Sequence, residues 1–308
     1  MMEPTNVTVI IPTLNAAAYL ETLINALKNQ RQALAQIIVI DSGSHDGTSE
    51  LASALGAEVI KIASDSFDHG ATRNRAAAEA QGDILVFMTQ DALPTGTETI
   101  SRLIEPLADT LTVVSYARQV AAEDASTSEK FLRLANYPPQ SILKSREKIE
   151  KMGIKTFQNS NVCSAYRRRE FEKLGCFPAP VVCNEDMLFA AKAIFSGYRV
   201  AYNAEAVVMH SHDLKMKQLF KRYFDIASSL DHEPRIKSLG SAEAKGLDFF
   251  KNQAKYLRDQ NRLHELPRVI CETAAKYLGY KCGVNNNRIP KKMKKYLGLN
   301  SAYWFKAE

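Results

Sequence analysis

Several short stretches of this sequence carry residues whose types and spacing suit chemistry. In "FDHGATRN" a histidine, an arginine and an asparagine lie just before a predicted helix, where unpaired N–H groups and the helix dipole favour an anion and Arg73 adds a full positive charge. In "IVIDSGSHDGT" a strand delivers Asp41, a carboxylate able to accept the N3–H of a pyrimidine base, while Asp46 and Thr48 have the types of a turn and helix cap. "DILVFMTQD" ends an apolar strand in one carboxylate, Asp91. "CNEDMLFAAKAIFSG" opens a helix on Glu185 and Asp186, which could cap it or accept a proton. In "VVMHSHD", His210 and His212 alternate along a strand-like run, so both point the same way, towards a ligand or simply into solvent.

Elements must position these groups. "VTVIIPT", "QIIVIDSG", "AEVIKIA" and "DILVFMTQD" are nearly continuous apolar runs rich in Val and Ile, the pattern of strands buried on both faces of a parallel sheet. Between them "AYLETLINALKNQ", "GTSELASALG" and "TRNRAAAEAQ" have helical apolar spacing. Right-handed β-α-β crossovers then predict an α/β fold: a doubly wound, mostly parallel sheet whose strand C-termini share one edge, where ligands bind. Thr13, Asp41 and Asp91 fall on that edge. "NSNVCSAYRRREFEKLGCF" reads as a further strand leading into a helix, with small residues that could line an acceptor pocket; Arg167, Arg168 and Arg169 read as a solvated helix start.

The chain of 308 residues is 45% hydrophobic and 24% charged, enough for one large core or two smaller ones. Five scattered cysteines without a Cys-x-x-Cys pair argue against a disulfide framework or a structural zinc, and Cys163 and Cys183 read as packing residues. Neither G-x-G-x-x-G after the first strand nor G-x-x-x-x-G-K-[ST] occurs, which removes the main support for a dehydrogenase or a P-loop NTPase. Nothing resembles a signal peptide or membrane span, so the protein is expected in the cytoplasm. Charge is uneven: residues 214–308 carry 20 basic and 9 acidic side chains, against 20 and 25 before them. Two regions are expected, 1–213 and a basic helical 214–308. In the second, Met216, Leu219, Phe220, Tyr223 and Phe224 form one helical stripe, suited to packing, and "RIPKKMKKYLGLNSAYWF" sets lysines beside aromatics, as at a lipid interface. No nucleic-acid-reading module is present.

"IIPTLNAAAYL", "IVIDSGSHDGT", "HGATRNRAAAEAQGDILVFMTQD" and "NEDMLFAAKAIFSGYRVAY" together resemble, in order, the motifs of family 2 glycosyltransferases with the GT-A fold; "DSGSHDGT", "HGATRN" and "TQDALP" resemble the rhamnosyltransferase-like branch. The resemblance implies inverting transfer from a nucleotide-diphosphate sugar, dTDP-L-rhamnose in this branch, to a polysaccharide or lipid-linked acceptor at the inner face of a membrane, with Mg²⁺ or Mn²⁺. It implies that Pro12, Thr13, Asn15, Asp41, Ser42, His69, Arg73, Asn74 and Gln90 bind the nucleotide sugar. Asp91 with His210 or His212 would hold the metal, and Asp186, beside Glu185, would be the general base. Two departures stand out. Thr89-Gln90-Asp91 replaces the family's Asp-x-Asp, removing one carboxylate, and Asp41-Ser42 replaces two consecutive Asp at the base pocket. A UDP-sugar donor, a nucleotidyltransferase and a non-catalytic sugar-nucleotide-binding subunit therefore stay open, as does a homo-oligomer.

Overall fold

The computed structural model describes residues 6–212, 214–239 and 242–306; residue 213, the expected domain boundary, lies outside them. Nine strands form one sheet: β1 Val7–Thr13, β2 Gln36–Asp41, β3 Glu58–Lys61, β4 Ile84–Met88, β5 Leu93–Pro94, β6 Thr112–Val120, β7 Ile142–Lys144, β8 Cys163–Arg167 and β9 Arg199–Met209. Their order is β3-β2-β1-β4-β8-β6-β9-β5, with β7 also on β9. The first four strands are parallel to one another, as the apolar runs predict. Helices α1 Ala17–Lys28, α2 Thr48–Ala54 and α3 His69–Ala78 connect them. Burial explains the pattern: all five residues of β4 are buried, and α1 sets Leu20, Leu23, Ile24 and Leu27 into the same core as Val9, Ile11, Val39 and Val86.

Beyond β4 the sheet changes character. β8 runs antiparallel to β4, with Met88 opposite Cys163, and antiparallel to β6, whereas β6 and β9 are parallel. The start of β8 and the ends of β4, β6 and β9 therefore lie on the same edge as Thr13 and Asp41. Phe87, Tyr166, Phe171, Phe177 and Phe189 pack together, mostly edge to face, with ring centroids 4.8–5.9 Å apart.

The chain divides into two compact units. One contains Met1–Val120, Tyr137–Pro180 and Glu185–His210; the other contains Ala121–Asn136, Val181–Asn184 and Ser211–Glu308. This differs from a single cut near 213, because the helix Thr127–Asn136 belongs with the C-terminal helices. Its Phe131 ring meets Phe249 and Tyr256 at 5.1 and 5.4 Å, and Ser128 donates to Glu272. Within this second unit the predicted stripe on Met216–Ser229 packs against the helix Leu266–Val284. The approach is so close that a Cβ at Gly279 would lie 2.2 Å from the Phe220 carbonyl oxygen, and one at Gly283 would lie 2.3 Å from that of Phe224. Trp304, expected at a lipid interface, is instead 8% exposed among Val182 and Phe224, and its Nε1–H donates to Asp225 at 2.8 Å. An indole N–H needs a partner when buried, and Asp225 provides one. No helix among the described residues is long and apolar enough to cross a membrane.

Candidate active site

The edge formed by the ends of β1 and β2 holds a closed set of hydrogen bonds. Asp41, 2% exposed, accepts from Thr13 Oγ1 at 3.2 Å, from Ser49 Oγ at 2.9 Å and from the backbone and hydroxyl of Ser44. Ser42 is buried beside it, its backbone N–H donating to Thr13 O and its hydroxyl having no hydrogen-bond partner. Asn15, at φ +50°, accepts from His45 N while its own N–H donates to Ser44 Oγ. Gln90 bridges from the next strand, accepting from Leu14 N at 2.9 Å and donating to Leu14 O at 3.3 Å. Pro12 stands half-buried in β1, opposite Ile40. Asp46 and Thr48 form the turn and cap that their types suggest: Asp46 accepts from Ala17 N and from the Thr48 backbone and hydroxyl.

α3 begins at His69, so "HGATRN" forms the first turns of the helix rather than a segment before it. Asp68 is its N-cap, accepting from Gly70 N and Ala71 N at 3.0 and 2.8 Å. Those N–H groups are thereby paired with a carboxylate, and the anion expected there from the dipole argument meets an acidic cap instead. Arg73 turns inward: it is 5% exposed, donates to His69 O at 3.0 Å and lies 3.4 Å from Glu185 Oε1. Asn74 is engaged at both ends of its amide by the Phe177 backbone. His69, half-buried, packs edge-on to Phe67 at 5.0 Å.

Glu185 and Asp186 open the helix Glu185–Phe195 and are held from below by a network that sequence reasoning missed. Asn161 is its hub. Its side-chain N–H donates to Glu185 at 2.9 Å, its backbone N–H donates to Asp186 Oδ2 at 2.9 Å, and its carbonyl oxygen accepts from Ser164 and Tyr166 hydroxyls at 2.7 Å. Asn159 donates to Tyr166 Oη as well. Asn-x-Asn ahead of an apolar strand was the available signal. Burial would raise both carboxyls. At Glu185, Arg73, His69 and the Asn161 hydrogen bond outweigh burial and hold it below the usual range. At Asp186, burial and the adjacent Glu185 charge prevail, raising it to about 7. Two neighbouring carboxyls pushed apart in this way are arranged for different roles.

Opposite them, the pairing of β5 with β9 sets Leu93 against Met209 and so brings the flanking Asp91 and His210 together. Asp91 Oδ1 lies 3.5 Å from His210 Nε2. His210 is 5% exposed, and its Nδ1 lies 3.1 Å from Gln119 Oε1. Gln119 is held in turn by Tyr137 Oη at 2.7 Å and Ser160 Oγ at 2.9 Å. The ring is thus oriented through Nδ1, and Nε2 faces the Asp91 carboxylate. A carboxylate oxygen and an imidazole nitrogen at this separation could share one cation. Ligands of one ion at about 2.1 Å stand roughly 3–4 Å apart, and 3.5 Å fits. His212, two residues along, falls in the other compact unit. One carboxylate with an imidazole nitrogen suits Mn²⁺ better than the harder Mg²⁺.

Elsewhere, Arg167 and Arg168 donate to the carbonyls of Leu107 and Ala80. Cys163 is fully buried, its thiol pushed up to about 12 by burial, which makes it an inert packing residue.

A parallel half-sheet joined to a mixed one, with acidic and imidazole groups on the edge where the strands end, is the arrangement of the GT-A fold. Consistent with this, the model superposes on the mannosyltransferase PcManGT of Pyrobaculum calidifontis, solved with GDP-Man and Mn²⁺, with TM-score 0.57 over 99% of this chain and 86% of that one, at 18% identity. Staphylococcus aureus TarS 1–349, solved with UDP-GlcNAc, gives 0.55 over 92% and 91%, at 16% identity. At such identities these likenesses speak for the fold alone. Residues 8–175 match the glycosyl transferase family 2 model, and the chain belongs to that family. It is 40% identical to the O-antigen chain rhamnosyltransferase RfbN of Salmonella typhimurium, over 97% of this chain and 96% of that one. It is 37% identical to WbaN, an O-antigen chain rhamnosyltransferase of Salmonella anatum, over 96% and 95%.

Proposed function

We propose that this glycosyltransferase moves L-rhamnose from dTDP-L-rhamnose, with inversion and with Mn²⁺ or Mg²⁺, onto a cell-surface polysaccharide or its lipid-linked precursor. The observation that carries this reading is the 40% identity, along nearly the whole of both chains, to an O-antigen chain rhamnosyltransferase. In the mechanism, Asp41, its oxygens engaged by Thr13, Ser44 and Ser49, fixes the edge against which the base is received, and Asp186 takes the proton of the acceptor hydroxyl as that oxygen attacks the anomeric carbon. Attack comes from the face opposite the diphosphate, which gives a single displacement. Arg73 holds Glu185 ionised, so Asp186 is the member of the pair placed to gain and lose the proton. Asp91 and His210 would hold the cation, which would supply charge to offset what builds on the departing diphosphate.

Calorimetric titration with dTDP, UDP, GDP and CMP, each with and without Mn²⁺ or Mg²⁺, tests the donor. Metal-dependent binding selective for dTDP is expected. Selectivity for UDP would overturn the donor, and absence of binding to all four would overturn catalysis itself.

The Gln119–His210 contact makes a separate prediction. Gln119→Leu removes the side chain that orients the His210 ring, and is expected to weaken Mn²⁺ affinity about 10- to 100-fold. Gln119→Glu, which still accepts, should restore most of it. Mn²⁺ titration followed by electron paramagnetic resonance reads the effect without turnover; equal affinity in Gln119→Leu and the parent would contradict it.

A further inference from the structure

The C-terminal helices Lys291–Leu297 and Ser301–Lys306 form a small platform with a definite inside and outside. Inside, Leu297, Ile289 and Tyr303 pack with Trp304, Phe224 and Val182. The Lys294 ammonium lies 5.4 Å from the Trp304 ring centre, and Asp225 accepts from Leu299 N, Asn300 N and Trp304 Nε1. On a helix, positions 294 and 297 share one face and 292, 295 and 296 the opposite one. That outer face is amphipathic: Tyr296 is 69% exposed and Phe305 53%. The Lys295 ammonium lies 5.1 Å from the Tyr296 ring centre and 4.6 Å from that of Phe305, which places both rings and one cation on a single patch. Between Glu272 and Glu308 the sequence has eight basic residues and no acidic one.

We propose that this face docks on an anionic lipid bilayer, with Tyr296 and Phe305 entering the headgroup region and Lys292 and Lys295 meeting lipid phosphates. The chemistry fits that occupant. Aromatic rings with one apolar and one polar end favour the membrane–water interface, and clustered lysines without acids are attracted to negatively charged lipid. A second protein surface would have to supply many carboxylates to match the same charge. Anchoring through Trp304 and Asp225 means the patch is presented by a folded platform, which loses little conformational entropy on docking. The proposal stands on the surface alone and does not depend on which donor the enzyme uses.

Co-sedimentation of the full chain, without nucleotide, with vesicles of phosphatidylcholine containing 30 mol% phosphatidylglycerol (roughly the charge density of an anionic leaflet) tests it. Binding is expected at low salt, falling as ionic strength rises, and absent from pure phosphatidylcholine. Lys292→Gln with Lys295→Gln, and separately Tyr296→Ser with Phe305→Ser, should each lower vesicle affinity on the order of 10-fold. Trp304 is the chain's one tryptophan, so unchanged emission from both variants shows the platform intact. Three results would overturn the proposal: no binding to anionic vesicles, equal binding by the variants, or a dimer in solution that Tyr296→Ser with Phe305→Ser dissolves, which would assign the face to a second copy.

Discussion

Asp186→Asn is expected to slow sugar transfer by about 10²- to 10⁴-fold, the usual size of a general-base effect, while dTDP binding and metal affinity stay near the parent's. The amide oxygen can still accept one of the two backbone N–H groups, from Asn161 and Met187, that hold the carboxylate. The other N–H then faces an NH₂, so a modest loss of thermal stability is expected too, and melting curves separate that loss from catalysis. Because burial and the adjacent Glu185 raise the Asp186 carboxyl to about 7, the parent's kcat should fall as pH drops through neutrality and level off above it. The direction follows from the role: a base works deprotonated, so activity lies on the alkaline side of its pKa. Loss of donor binding together with turnover would make Asp186 a structural or metal-side residue instead.

The second large effect is expected at Asp91. Asp91→Ala removes the carboxylate facing His210 Nε2, and the missing first acid of the usual Asp-x-Asp leaves Thr89 in its place, with a buried hydroxyl that has no hydrogen-bond partner. Mn²⁺-dependent donor binding should therefore weaken by more than about 100-fold, a larger loss than for an outer-shell change. Metal-independent binding of the base at the β1–β2 edge should persist. Calorimetry with and without Mn²⁺ distinguishes the two contributions. Undiminished metal-dependent binding in Asp91→Ala would show that the cation sits elsewhere.

How far the sequence revealed this site depended on the range of the interactions involved. The four parallel strands were legible because each is buried on both faces and connected by a local crossover, so its apolar run needs no distant partner to explain it. Asp91 could be placed at the sheet edge for the same reason. In the other half, β8 and the end of β9 read as strands, but β6, "TVVSYARQV", did not, because arginine and glutamine interrupt its apolar pattern, and the purpose of Gln119 appears only when β9 delivers His210 beside it. Asn161 was similarly opaque, since its bonds to Glu185 and Asp186 join it to a helix that only the tertiary fold brings alongside. The inward turn of Arg73 follows from Glu185, distant in sequence, and Asp68 shows itself as a cap only once the helix is seen to start at His69. Trp304 shows the converse: a lysine-flanked indole has the same sequence signature whether it meets lipid or a buried aspartate.

The Leu93–Met209 pairing also governs when in the life of a chain the site can exist. At ~5–20 residues per second of synthesis, His210 emerges roughly 6–24 s after Asp91. Until then β6 has one of its two neighbours, β8, and an uncovered apolar edge where β9 will lie, the kind of edge that recruits other chains. The segment that matches the family model ends at residue 175, before Asp186, β9 and His210 have been made. A polypeptide stopped there would lack Asp186 and His210 and would present the edge of β6 unpaired. The half of the sheet least visible in the sequence is therefore the half on which safe completion of the molecule depends.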